Sequence, residues 1–423
     1  MRVLLASVGS LGDIHPYVAW GRALQARGHE VTLLTNAEYE PVVSAAGLPF
    51  ASAGADVNLA AAAANPNLWH AIKGMGVLWK HVLVPAIEPT FDCIAQLAAR
   101  GRCTVVATPF MFGARLARAK LDHVTLLSAY SAPSLMRSEI APMSIADHRI
   151  PRGVPRSAMR AVWRLLDRIK LEPMARPTLD RVAAQHGIAT PLPAPLLGAW
   201  MQSPDGGITL FPEWFSAPKA DWPQPLGIGG FPLYDDDAHA AGLSPRLQAF
   251  LDAGEAPIVF MPGSLMQHAQ PFFASALQAL RALGRRGVLL TPHTGQLPAQ
   301  LPPDVLHEPY APFGRLLPRA AALVHHGGIG SCAQGLRAGL PQVAMPMAHD
   351  QFDNACQLER LQVGRLIRPR SFDADRLAAA LRSLQSDPRV APACARWRER
   401  LAEPALDRLC ELTEQLGLPE RAC

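Results

Sequence analysis

L-V-H-H-G-G-I-G-S at residues 323–331, continued by C-A-Q-G-L-R-A-G at 332–339 and P-Q-V-A-M-P-M-A-H-D-Q-F-D-N at 341–354, decides how this chain folds. An apolar strand ends at Val324, and Gly327, Gly328 and Gly330 let the backbone turn tightly and approach a ligand before a helix begins. A helix start presents unpaired N–H groups and partial positive charge, so with His326 and Ser331 beside it the turn suits a phosphate. A second strand, residues 342–345, ends at Pro346 and carries His349, Asp350 and Gln351 into the next loop. In a parallel sheet these two loops lie side by side, so anion binders and hydroxyl binders converge.

Working outward, 423 residues is long for one core and suits two domains. An apolar fraction of 49% with 18% charged residues describes a globular chain and excludes a disordered one. A net charge of +5, spread along the sequence, gives no argument for nucleic acid. Seven cysteines without a C-x-x-C spacing suit free thiols in a reducing compartment. The opening M-R-V-L-L-A-S-V-G-S is a first strand and not a signal peptide, because glycine and Asp13 soon interrupt it. No stretch of about 18 uncharged apolar residues is present to span a bilayer. A cytoplasmic chain is expected, with a peripheral contact to the inner membrane as one option.

Residues 3–7 read as a buried strand, 17–27 as a helix stopped by Gly28, and 31–35 as the next strand, a βαβ opening of a doubly wound sheet. Further strands are expected at 104–108 and 124–128. Gly9 and Gly12 lack the G-x-G-x-x-G spacing, and no acidic residue ends the second strand, which disfavours a dehydrogenase. The loop does offer Asp13 at the carboxyl end of the first strand, where such sheets open their cleft. An aspartate there can take a proton from a hydroxyl, and it can equally cap the helix near Pro16. His15, two residues on, is the runner-up for that role or its helper.

Segments rich in Trp, Met, Leu and Val fill residues 51–103. Trp69, Met75, Leu78 and Trp79, with Phe110, Met111, Phe112 and Met136, could wall an apolar acceptor pocket or pack a core. Residues 149–170 carry Arg149, Arg152, Arg156, Arg160, Arg164, Arg168 and Lys170 around Met159, Val162, Trp163, Leu166 and Ile169, a basic amphipathic helix facing solvent or lipid headgroups. Proline and glycine cluster at 223–238, the expected linker between a first domain of residues 1–222 and a second of 239–400, with a terminal helix at 401–423. Asp235, Asp236 and Asp237 imitate a metal motif, but no strand feeds them, so they read as solvated charge and no metal is expected. The second domain opens with a strand at 257–261, then Gly263 and Ser264, which could meet a diphosphate from the opposite side, a helix at 271–283 and a strand at 287–291.

The stretch at 326–351 resembles the donor-site signature of inverting glycosyltransferases that include plant and macrolide enzymes, in which H-x-G-x-x-S/T holds the diphosphate and D/E-Q holds sugar hydroxyls. That resemblance implies an α/β fold of GT-B architecture, two Rossmann-like parallel-sheet domains facing across a cleft. It places His326, Gly328, Gly330 and Ser331 on the phosphates and Asp350 and Gln351 on the sugar. G-S-L-G-D-I-H-P at 9–16 is similar to the loop whose aspartate is the family's general base, so Asp13 takes that role. E-P-Y-A-P-F at 308–313 is similar to the nucleobase region: Tyr310 and Ala311 fall there, while Phe313 stands where many members have Gln. A narrower resemblance, to bacterial rhamnosyltransferases that build mono-rhamnolipids, is carried by G-V-L-W-K at 76–80, W-M-Q-S-P-D-G at 200–206, L-F-P-E-W-F-S-A-P at 210–218, D-W-P-Q-P-L at 221–226, G-F-P-L-Y-D at 230–235 and A-H-D-Q-F-D-N-A at 348–355. It implies a dTDP-L-rhamnose donor, a 3-(3-hydroxyalkanoyloxy)alkanoic acid acceptor, and the acyltransferase that makes this acceptor as a partner. A UDP-sugar transferase acting on a sterol or polyketide, a nucleotide-sugar epimerase or hydrolase, and a non-catalytic binder stay open.

Overall fold

The computed structural model describes residues 1–70, 72–144, 149–151, 153–234 and 242–417. The expected solvated run at Asp235, Asp236 and Asp237, with Arg152 of the basic segment, lies outside them.

The chain divides into two compact units. The first takes Met1–Leu68, Ile72–Pro232 and the C-terminal segment from Ala405; the second takes Trp69–Ala71 and Leu233–Pro404. In the first, seven parallel strands are ordered β3-β2-β1-β4-β5-β6-β7: β1 Arg2–Ala6, β2 Glu30–Thr35, β3 Phe50–Ser52, β4 Cys103–Ala107, β5 Val124–Tyr130, β6 Gly207–Thr209 and β7 Leu226–Ile228. β1 and β4 are central, covered on both faces, and accordingly apolar almost throughout, with Leu4, Leu5, Val105 and Val106 at 0% exposure. The second unit orders six parallel strands β10-β9-β8-β11-β12-β13: β8 Ile258–Met261, β9 Gly287–Leu290, β10 Val305–Glu308, β11 Ala322–His325, β12 Gln342–Ala344 and β13 Gly364–Leu366. Each order reverses once, between β1 and β4 and between β8 and β11, and doubly wound sheets open their ligand sites at such points.

The structure departs from sequence expectation in four places. The first helix starts at Leu11, six residues before the expected 17, because Ser10 and Asp13 form a capping box that nucleates the turn ahead of Pro16. Pro16 removes only the bond to the Gly12 carbonyl, which lies at an exposed residue. The linker expected at 223–238 contains β7, and the change of unit falls after Pro232; tight Pro-Gly punctuation hid a three-residue edge strand. The terminal helix expected at 401–423 begins at Ala405, after Pro404 separates it from the helix Val390–Arg400. The basic segment is helical from Arg156 to Leu166 and continues through one wider turn, Asp167–Leu171, but only Met159 and Trp163 of its expected apolar face are buried in that first stretch.

The Ala405–Gly417 helix packs within the first unit. Arg27 holds both carboxylate oxygens of Glu414 at 2.9 and 2.8 Å, His29 reaches the same group at 2.8 Å, and Thr104 donates to the Gly417 carbonyl. The six described cysteines are free thiols, five of them buried. Among the described residues no helix is long and apolar enough to cross a membrane.

Candidate active site

In the second unit, two loops flank the β8/β11 switch point. After β11 the chain turns through His326, Gly327 and Gly328 into the helix Ile329–Ala338, whose first internal hydrogen bond runs from Cys332 N–H to the Gly328 carbonyl. The amides of Ile329, Gly330 and Ser331 therefore precede the hydrogen-bonded ladder and are oriented for an anion. After β8, Gly263 adopts φ +108° and brings backbone against the His326 imidazole: a Cβ there would lie 3.2 Å from three ring atoms. A Cβ on Gly328 would lie 2.5 Å from Nε2 of the same ring. Two glycines thus let backbone approach His326 closely, with Ser264 exposed nearby in sequence. Burial pushes the His326 pKa down to about 4, and burial, then the neighbouring imidazole, pushes His325 down to about 3. Both rings are neutral at physiological pH. Among the described residues His326 Nδ1 is enclosed without a partner, which leaves Nε2 as the atom able to donate to an anion. His325 instead braces the backbone, since its Nδ1 accepts the Gly327 N–H at 3.1 Å and fixes the turn.

The loop after β12 sits beside this cradle. His349 takes φ +60°, a left-handed conformation that side chains seldom adopt, and so swings Asp350 to the start of the helix Gln351–Arg360. Asp350 accepts from Asn354 Nδ2 at 2.7 Å, and the same amide donates to the Gly327 carbonyl at 3.1 Å. Asn354, 0% exposed, ties the Gly327 turn to the Asp350 carboxylate. The signal for it was present, since it lies four residues after Asp350 and so on the same helix face. Gln351 is buried, and its Oε1 accepts the Met347 and Ala348 amides at 2.9 and 3.2 Å. Its Oε1 is thereby committed to the backbone, and Nε2 is the end that could meet a ligand. Tyr310 is 43% exposed, whereas the Ala311 side chain belongs to the core and Phe313 packs against it. An aromatic surface is offered at 310, and the side chain at 313 is taken up by packing.

In the first unit, Asp13 sits in the first turn after β1, beside the β1/β4 switch point. Oδ2 accepts from Ser10 N–H at 2.7 Å and Ser10 Oγ–H at 2.9 Å; Oδ1 takes no hydrogen bond among the described residues. Gly9, at φ +142° and bracketed by Asn36 through bonds of 3.3 and 3.1 Å, makes room: a Cβ there would fall 2.4 Å from Oδ2. Surrounding protein raises the Asp13 pKa and the two Ser10 bonds lower it. Because the residue itself is exposed, water screens the first effect, and we take the carboxyl as ionised at neutral pH. His15 is half-buried on the same helix.

The proposed acceptor residues divide. Trp79, Met111, Phe112 and Met136 are core side chains, with Trp79 and Phe112 edge to face at 5.4 Å, while Phe110, Met75 and Leu78 are half-buried. Trp69 groups with the second unit, its ring 6.2 Å from that of His349. Packing the core claims four of the eight, because large apolar side chains gain most by leaving water.

Two doubly wound parallel sheets, the second with a glycine turn and an adjoining carboxylate at its switch point, are the architecture found in nucleotide-sugar transferases of GT-B type, and comparisons with known proteins assign the chain to that class. Residues 3–121 match the glycosyltransferase family 28 N-terminal domain, and residues 280–416 match the C-terminal domain of erythromycin biosynthesis protein CIII-like proteins. The chain is 30% identical over 381 residues to glycosyltransferase GtfE of Amycolatopsis orientalis, covering 86% of this chain and 85% of the relative. It is 29% identical over 445 residues to an O-mycaminosyltylonolide 6-deoxyallosyltransferase of Streptomyces fradiae, covering 98% and 97%. The crystal structure of the glycotransferase of kitacinnamycin superposes with a TM-score of 0.75 at 22% identity over 99% of both chains. The protein belongs to the GT-B glycosyltransferases that join a family 28 N-terminal domain to an erythromycin CIII-like C-terminal domain.

Proposed function

We propose that this glycosyltransferase moves L-rhamnose from dTDP-L-rhamnose to the hydroxyl of a 3-(3-hydroxyalkanoyloxy)alkanoic acid, with inversion and without a metal. The observation that carries the chemistry is Asp13 Oδ1, a carboxylate oxygen left unbonded at a switch point while its twin is fixed by Ser10. The acceptor oxygen bonds to the anomeric carbon, its proton passes to Oδ1, and the bond from that carbon to the diphosphate breaks. The neutral His326 Nε2–H, the amides of residues 329–331 and Ser264 meet the charge that grows on the departing diphosphate. Asp350, held by Asn354, accepts from sugar hydroxyls. Hydrogen-bond donors alone can carry that leaving group, which is why no metal is assigned.

The choice of sugar and acceptor rests on the segments at 76–80, 200–235 and 348–355 that resemble rhamnosyltransferases of mono-rhamnolipid synthesis. It is supported by a relative named for transfer of 6-deoxyallose, like rhamnose a 6-deoxyhexose. The same relative's name specifies O-mycaminosyltylonolide, which favours a polyketide acceptor as the second reading. Incubation with dTDP- and UDP-sugars, each with hydroxyalkanoyloxy acids, sterols and polyketide aglycones, followed by mass spectrometry, separates them. A rhamnosyl adduct of the hydroxyacid is expected. Transfer only to a sterol or aglycone, or sugar release without transfer, refutes the proposal.

A further inference from the structure

Large apolar side chains left exposed among the described residues are Ile72, Ile140, Val162, Leu165, Ile169 and Tyr310, and all but the last gather around one helix. Val162 (40% exposed), Leu165 (59%) and Ile169 (65%) recur at helical spacing on the outer side of the segment beginning at Arg156, while Met159 and Trp163 face inward. Ile72 and Ile140 border it: Lys170 donates to the Ile72 carbonyl, and Trp163 Nε1 donates to Ser138 O, two residues before Ile140. Arg156, Arg160, Arg164 and Arg168 are spaced four apart and so form a ridge along the same helix. Arg160 is held by Glu139 at 2.8 and 2.7 Å. Arg164 and Arg168 make no hydrogen bond or ion pair among the described residues and are exposed.

We infer that this helix docks the protein on an anionic lipid bilayer, with Val162, Leu165, Ile169 and Ile72 entering the headgroup boundary and the arginine ridge on lipid phosphates. Charge decides the occupant. A protein partner or second copy would need acidic side chains opposite the ridge, whereas an anionic leaflet supplies both the negative plane and the apolar layer beneath it. Three to four partly exposed aliphatic side chains give reversible attachment and not permanent insertion. The inference stands on this surface alone and does not depend on which sugar or acceptor is used.

The test is sedimentation of the full chain with vesicles of phosphatidylglycerol and phosphatidylethanolamine, against vesicles of phosphatidylcholine, at low and raised salt. Binding to the anionic vesicles is expected, at least about tenfold weaker in about 0.5 M salt because the phosphate contacts are screened. Leu165→Glu with Ile169→Glu, and separately Arg164→Glu with Arg168→Glu, should each weaken it about tenfold or more while the melting temperature and transfer to a micelle-free acceptor are retained. Equal binding to both vesicle types, or no binding to either, overturns the inference. So does sedimentation velocity showing that the wild type self-associates through this face and that the Leu165/Ile169 variant is monomeric.

Discussion

Replacing Asp13 separates a cap from a catalytic base, because the two roles differ in magnitude. Asp13→Ala removes the two bonds from Ser10, at 2.7 and 2.9 Å. Loss of such a cap costs about 1 kcal/mol, within a range of about 0.5–2. For a unit of this size that lowers the melting temperature by about 2–4 °C per kcal/mol. A domain stable by about 5–15 kcal/mol stays folded at 25 °C after that loss, so a cap alone leaves kcat within a few-fold. A general base is worth about 10²–10⁴ in rate. Asp13→Asn is the sharper variant: its amide oxygen can still accept from Ser10, yet it takes no proton. Scanning fluorimetry should show a shift under about 2 °C, calorimetry an unchanged affinity for dTDP, and transfer kinetics a fall of at least about 10² in kcat. Ser10→Ala, which loses one bond and keeps the carboxylate, should stay within a few-fold of wild type. Should Asp13→Asn retain more than about a tenth of kcat, or Ser10→Ala match its loss, the base assignment fails and capping remains. The pH profile adds a sign. The raised pKa of Asp13 puts the acid limb above the ordinary aspartate value of about 3.9, with activity lost as pH falls through it.

His326→Ala should weaken dTDP binding about tenfold, roughly the 1.4 kcal/mol of one hydrogen bond to a charged group, with little change in melting temperature; unaltered affinity in calorimetry removes it from the phosphate site. His325 and His326, with pKa values pushed down to about 3 and about 4, stay neutral when the unfolded chain is protonated, so stability should decline as pH falls from about 6.5 toward 4. Urea unfolding across that window checks it, and a flat response contradicts it. Arg27 and then His29 hold Glu414 down to about 2, so the seat of the terminal helix is at full strength above the unfolded glutamate value of about 4.3 and is lost between there and 2. Glu414→Gln should cost about 1–2 kcal/mol at pH 7 and flatten that acid limb, read by circular dichroism. Gln351→Leu should release the Met347 and Ala348 amides, raising the donor KM more than it lowers the melting temperature; a proportionate loss of both points to a purely structural brace.

The chain's order of apolar runs and glycine turns determined a doubly wound α/β fold by itself, because strand, tight turn and helix are local choices written in neighbouring residues. The glycine turn that carries His326, Gly328, Gly330 and Ser331 into a helix was legible for that reason, and so was Asp13 as a carboxylate just after the first strand. Tertiary structure decided what no window of sequence contains. Only the sheet order puts Gly263 against the His326 ring, only packing shows Asn354 bridging Gly327 and Asp350, and only burial assigns Met111, Phe112, Met136 and Trp79 to the core. β7 was hidden in the supposed linker because a three-residue strand has no periodicity to read and exists by virtue of its neighbour. The outward turn of Val162, Leu165 and Ile169 was hidden for a related cause: an amphipathic pattern reveals that a helix has two faces, and the surrounding fold selects which of them it covers.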